Sequence, residues 1–253
     1  MLLRKPVIEY YVRAALRAFK WFLLILTGVF ALTIAGMGAI NIGVVQADGT
    51  SYFGVEVAFF IFFTIACMSD FTAEFHFMFQ HGVSRRSAFA GFSAHMLIMS
   101  AIQAVVLMLA SALFYAVGTW LGAGINHLFP SIYGAHLEAL GTIPGGLLTF
   151  LFLCSMLLLG GTLGYFISVL LYRLNKLGKS LLGGGLVALA MTLPFLNILS
   201  GGRVVQFFLW LRQVFVGRGD TPNLLNGVGV FAVLTVIGLF GTWLLIRRVK
   251  LKK

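Results

Sequence analysis

The chain is dominated by long stretches without a single Asp, Glu, Lys or Arg. Trp21–Ala47, Ser87–Leu137, Ala139–Tyr172, Leu181–Gly202 and Thr221–Ile246 are all free of these residues. A helix crossing the hydrocarbon core of a bilayer needs about 20 mostly apolar residues. Within lipid every backbone polar group must find its partner inside the protein, which leaves helices as the economical solution for runs of this kind. Composition agrees: 60% of the residues are hydrophobic and 10% are charged, against roughly 25% charged in a soluble domain. The expected fold class is an all-α integral membrane protein.

Ser87–Leu137 is too long for one helix, and its later part, GINHLFPSIYGAH, carries turn-forming and polar residues. One span is therefore expected at about 92–121, with a loop after it. A further span at about 51–72 takes in Glu56 and Asp70. The total is six spans in a single transmembrane domain over residues 1–253, at about 21–45, 51–72, 92–121, 145–171, 181–200 and 225–246. The first apolar run is itself long enough to span, so an anchored helix is expected rather than a cleaved leader.

Lys and Arg set orientation. All but Arg203, Arg212 and Arg218 lie in the N-terminal segment, the turn after span two, the segment after span four, or the tail. With six spans these four segments share one side, which is expected to be cytoplasmic together with both termini. The net charge of +11 is thereby read as membrane orientation and attraction to anionic headgroups, and nucleic acid is not an expected partner. Cys67 and Cys154 both sit in apolar runs, where packing is expected rather than a disulfide framework.

Two flanking segments stand out. Residues 1–20 place Arg13, Arg17 and Lys20 at three- and four-residue spacing beside Val7, Tyr11, Ala14, Ala15 and Phe19. That pattern fits an amphipathic helix in the interface plane; a plain positive anchor for span one is the alternative. Between spans five and six, RVVQFFLWLRQVFVGRGDTPN mixes Phe207, Phe208, Trp210 and Phe215 with Arg203 and Arg212. Aromatic residues favour the interface, so a re-entrant or interfacial element is expected there, with a surface loop as the alternative.

No catalytic constellation appears. Gly178-Lys179-Ser180 looks like the end of a phosphate-binding loop, but Arg173 stands where the earlier glycine belongs. The chain is not expected to hydrolyse ATP. His127, His136 and Glu138 match no zinc spacing, and no metal site is expected. Charges inside spans are costly and often functional. Glu56 and Asp70 are such charges, 14 positions apart, or roughly 21 Å along a helix. They are candidates for a translocation path, against helix-end roles near the two membrane faces. Gly160 and Gly164, four apart, let helices approach closely. Packing is the default reading for them and a flexible joint the sharper one.

Between spans two and three stands a short basic stretch, FQHGVSRRSAFAG, Phe79 to Gly91. Span two is expected to continue as helix past Asp70. Gly82 then permits a turn, and Ser84 caps a short basic helix from Arg85 to about Phe89. An ordinary positive-inside turn is the alternative.

The basic N-terminal helix, the six spans, GVSRRSAFAG between spans two and three, and the outer element between spans five and six together resemble the permease subunit of an ABC-2 type ABC transporter. The local motif resembles the G-[VIA]-S-R opening of small bacterial permeases of this type, although Ala88 stands where an aromatic often follows and Phe89 comes one position later. The resemblance implies that Gly82, Val83, Ser84, Arg85, Arg86 and Phe89 form a coupling element that docks into an ATPase subunit. It implies ATP-binding ABC subunits as partners, with ATP and magnesium held by them rather than by this chain. It further implies a second permease chain, identical or paralogous, and a bacterial cytoplasmic membrane. Export of a peptide, antimicrobial or other amphipathic or hydrophobic cargo follows as the expected function. A stand-alone secondary transporter or channel is the alternative, and a non-transporting membrane sensor or scaffold a third.

Overall fold

The structure is a computed structural model that describes residues 4–36, 45–47, 50–53, 55–120, 125–175, 177–181, 184–185, 188, 192, 199–217 and 222–247. The side chains of residues 30–36, 45–47, 50–53, 70–77 and 125–131, among a few others, lie outside the described set.

The first helix, α1, runs from Arg4 to Gly36 without interruption. The basic segment and the first apolar run are thus one helix, not two. The reason is local: Pro6 sits in the first turn, where its missing N–H costs nothing, and no glycine or proline follows until Gly28. Tyr11, Phe19 and Leu26 are buried along one face. Tyr11 packs edge-on against Phe92, and Phe22 stacks on Phe62 with ring centroids 4.0 Å apart.

After α1 the chain forms two short strands, β1 (Val45–Ala47) and β2 (Thr50–Phe53), paired antiparallel. A third, β3 (Ile125–His127), joins β2 in parallel with Tyr52 opposite Asn126. This small sheet was not expected, and it removes residues 51–53 from the span expected to begin there. It ties the connection before α2 to the one before α4.

Helix α2 (Val55–Gln80) buries Val55, Phe59, Phe63 and Cys67, spaced four apart. Helix α3 (Arg85–Trp120) buries Phe92, Met96, Met99, Gln103 and Leu107. The segment read as a loop after span three is instead β3 followed by α4 (Leu128–Leu140). Pro130 stands in the first turn of α4 and so does not break it.

Helix α5 (Thr142–Arg173) is the centre of the molecule: α2, α3, α4 and α7 all pack on it. Residues 203–216 form a single 14-residue helix, α6 (Arg203–Val216), and the last helix is α7 (Leu224–Arg247). Close approach to α5 depends on glycine. A methyl on Gly160 would lie 2.9 Å from the Thr64 side chain, and one on Gly164 would run into the Thr64 carbonyl oxygen. Gly161 meets Phe63 in the same way, and Gly238 of α7 meets Thr162. Ser168 Oγ completes the α2–α5 contact by donating to the Met68 carbonyl at 2.8 Å.

Among the described residues three helical segments are long and apolar enough to cross a membrane: Arg85–Val117, Thr142–Arg173 and Leu224–Arg247. Val55–Ser69 is a shorter apolar stretch. Their outer faces carry Leu97, Leu109 and Leu113 on α3, and Val236, Ile237 and Phe240 on α7, all exposed. An apolar surface of this extent requires lipid or another protein against it. The chain is a predominantly helical, membrane-associated protein. Most of residues 181–200, assigned to span five, and 37–44, the end of span one, lie outside the described residues.

Candidate functional site

Two features could carry function: the basic turn between α2 and α3, and a cavity between α2, α4, α5 and α7.

The turn is built by two successive caps. Gly82 has φ +74°, and the Val83 N–H donates to the Met78 carbonyl at 3.0 Å. This is the glycine-terminated closure of a helix C-terminus, in which a residue with positive φ lets the chain turn back on itself. Two residues later Ser84 starts α3. Its Oγ accepts the Ser87 N–H at 3.2 Å and donates to Ser87 Oγ at 2.9 Å, and its carbonyl accepts the Ala88 N–H. A serine accepting from the third helical N–H satisfies one of the open donors of a helix start. The capped helix does not stop near Phe89; it is the first turn of α3 and continues to Trp120.

The side chains of the turn divide into two groups. Val83 and Phe89 are half-buried and pack against the core, and Phe89 lies against Trp243 of α7 with ring centroids 5.2 Å apart. Arg85 reaches across to α7, where its guanidinium donates to the Arg247 carbonyl at 2.8 Å. That carbonyl is one of the last of α7, left open at the helix end, and a cation there also meets the negative end of the helix dipole. Arg86 is exposed and borders a shallow groove with Phe89, Leu239, Phe240 and Trp243. Arg173, in the last turn of α5, shares a second recess with Arg247. The end of the bundle that holds the turn is therefore basic, with Arg85, Arg86, Arg173 and Arg247 gathered there.

The other residues singled out in the sequence fall elsewhere. Arg13, Arg17 and Lys20 are exposed on α1, with Arg13 bridging Glu9 at 3.1 Å. Gly160 and Gly164 lie in the α2–α5 contact. Glu56 and Asp70 share α2, four helical turns apart; the side chain of Asp70 lies outside the described residues. His136 and Glu138 stand on α4, and the side chain of His127 lies outside the described residues.

Glu56 is buried at 6% exposure in the first turn of α2. It lines a cavity of about 340 Å³ whose other walls are apolar, among them Phe60, Tyr133, Phe152, Met156 and Phe231. Tyr133 and Phe152 have ring centroids 5.5 Å apart, and Phe152 and Phe231 are 5.3 Å apart. Burial raises the Tyr133 phenol above its ordinary pKa, so it stays neutral near pH 7. Gly227 admits this ring cluster, because a methyl there would meet Phe152 at 2.6 Å. The cavity was missed in the sequence because its walls come from four helices far apart along the chain. Only Glu56, as a charge in an apolar run, gave a signal.

No protein-family model, curated protein or solved structure matches this chain.

Proposed function

We propose that this protein is the permease subunit of an ABC-2 type transporter, driven by a separate ATPase that docks at Gly82–Phe89. The observation that carries the reading is the connection of the basic turn to three helices. Gly82 closes α2, Ser84 opens α3, and Arg85 and Phe89 grip the end of α7. A force applied to such a turn is passed to α2, α3 and α7 together, which a flexible positive loop would not do. The exposed Arg86 and the groove beside it form the part open to a partner; Arg85 is the internal fastening.

In this reading both termini and the turn face the cytoplasm, six spans cross the cell membrane, and α6 lies at the outer interface. Two permease chains, identical or paralogous, flank the path. Cargo, an amphipathic peptide, antimicrobial or similar molecule, moves outward along α2 past Glu56. ATP and magnesium belong to the partner, and this chain supplies no catalytic residue.

The division of labour between the arginines gives the test. Arg86→Glu should leave membrane insertion and thermal stability unchanged and abolish co-purification with an ATPase from native membranes. An ATPase that stays bound to the Arg86→Glu chain, with normal cargo-stimulated turnover, rules out docking at the turn.

A further inference from the structure

We propose that the recess between the ends of α5 and α7 binds one anionic phospholipid. Its phosphodiester is held between Arg173 and Arg247, and an acyl chain lies on Leu244 and Leu245. The first observation is where the two arginines stand. Helices α5 and α7 pack together, each is long and apolar enough to cross a membrane, and each ends on its arginine. A spanning helix leaves the hydrocarbon at such an end, and an arginine there reaches the level of the lipid headgroups. Trp243 stands one turn before Arg247, and aromatic residues gather at that same level.

The second observation is charge. The recess is lined by Arg173, Leu244, Leu245 and Arg247, with no Asp or Glu among the described lining residues. Neither helix contains an acidic residue. The sequence following each, residues 174–180 and 248–253, adds Lys and Arg but no Asp or Glu. Arg85 brings a third guanidinium to this end, where it occupies the Arg247 carbonyl. Like charges gathered this way repel one another, and a shared anion relieves the repulsion. Guanidinium groups bind phosphate oxygens in pairs through parallel N–H donors, so a phosphodiester suits two arginines side by side.

The third observation is what lies beside the charges. Leu244 is exposed and Leu245 half-buried, so half of the lining is hydrocarbon. A free phosphate would use the arginines and leave both leucines wet, and so would an acidic loop of a partner protein. A lipid uses both halves at once. About 470 Å³ lies within the roughly 300–1,000 Å³ of small-molecule sites, enough for a phosphoglycerol headgroup. Basic pockets between membrane helices are suited to anionic headgroups for the same reasons.

The inference needs only that this end of the bundle meets a bilayer surface; it does not depend on the ATPase reading. Its experiment is native mass spectrometry of the purified full-length protein, titrated with dioleoylphosphatidylglycerol or dioleoylphosphatidylcholine. Each arginine near an anionic headgroup is worth about a factor of five, so the first phosphatidylglycerol should bind at least about tenfold more tightly than the first phosphatidylcholine. Arg173→Gln with Arg247→Gln should abolish that preference. The Arg85 bond survives the change, because it uses the Arg247 main chain. Arg13→Gln with Arg17→Gln removes the same charge from α1 and should leave the preference intact. Glycerophosphoglycerol, the same headgroup without chains, should fail to displace the lipid at equal concentration. In nanodiscs, phosphatidylglycerol with a photoreactive acyl chain should label the wild-type peptide containing Leu244 and Leu245.

Equal binding of the two lipids overturns the proposal and leaves the arginines as solvated charges that mark orientation. Equal loss of preference in both double variants overturns it in favour of diffuse attraction. Displacement by glycerophosphoglycerol makes the recess a site for free phosphate esters. A recess variant that keeps its lipid preference but loses a co-purifying ATPase makes it a protein-docking surface. The labelling uses the wild-type chain alone, so label found only elsewhere overturns the proposal even if the variants fold poorly. Failure here leaves docking at Gly82–Phe89 untouched, and loss of docking in Arg86→Glu leaves this recess untouched.

Discussion

Gly164 has the least room of the described glycines. A methyl group there would collide with the Thr64 backbone carbonyl, which cannot rotate away as a side chain can. Gly164→Ala should therefore force α2 and α5 apart and cost about 1–3 kcal/mol or more, read as a lowered unfolding temperature in detergent. Gly146→Ala, on the same helix with nothing within 4 Å, should be neutral or stabilising by about 0.5–1 kcal/mol. Equal stability of the two variants would show that the helices do not touch at Gly164. His95 makes the opposite case. It is buried and stacks on Tyr11, with ring centroids 5.5 Å apart and planes inclined by 20°. Neither of its ring nitrogens has a hydrogen-bond partner among the described residues. An unsatisfied buried polar atom costs about 1–3 kcal/mol. His95→Phe keeps the stack and removes that cost, so it should hold or raise thermal stability. A clear drop would reveal a partner for the imidazole.

At the scale of the element, the basic turn is a joint with a fastening. The two caps fix the directions of α2 and α3, and Arg85 ties them to the end of α7. Ser84→Ala should cost about 1 kcal/mol through loss of the cap. Arg85→Ala should loosen the last turn of α7 and raise its amide exchange about fivefold, equivalent to ~1 kcal/mol for one hydrogen bond, whereas Arg86→Ala should leave it unchanged. Identical protection in the two variants would mean that the Arg85–Arg247 contact contributes nothing. This joint was legible in outline from the sequence, because glycine closure and serine capping depend on residues within a few positions of one another. The identity of the carbonyl that Arg85 meets was not legible, since 162 positions separate Arg85 from Arg247. The small sheet was also missed, although Asp48-Gly49 is a hairpin signal; the long apolar runs on either side pointed to helix and outweighed it.

At the scale of the whole molecule, α1 belongs to the core as well as carrying an exposed basic face. Its basic residues are exposed, while Tyr11 and Phe19 are buried against α3 and α2. Removing the residues before Lys20 should therefore lower thermal stability. The loss of Phe19 alone should cost near the lower end of the ~3–5 kcal/mol seen for a buried Phe→Ala, because lipid replaces part of the lost apolar contact. An unchanged unfolding temperature would make the segment a peripheral anchor, as the simpler reading of its charges has it.

The sequence alone determined that the chain is helical and membrane-bound, and where its turn closes and reopens. Those properties follow from local chemistry: apolar run length, the distribution of Lys and Arg, glycine at a positive φ, and serine at a helix start. Only the tertiary structure decided that α5 is the centre, that Arg85 fastens α7, and that Glu56 lines a cavity walled by aromatic rings. Each depends on which helix faces come together, and that choice is made by packing between residues distant in the chain, where periodicity carries no information about partners.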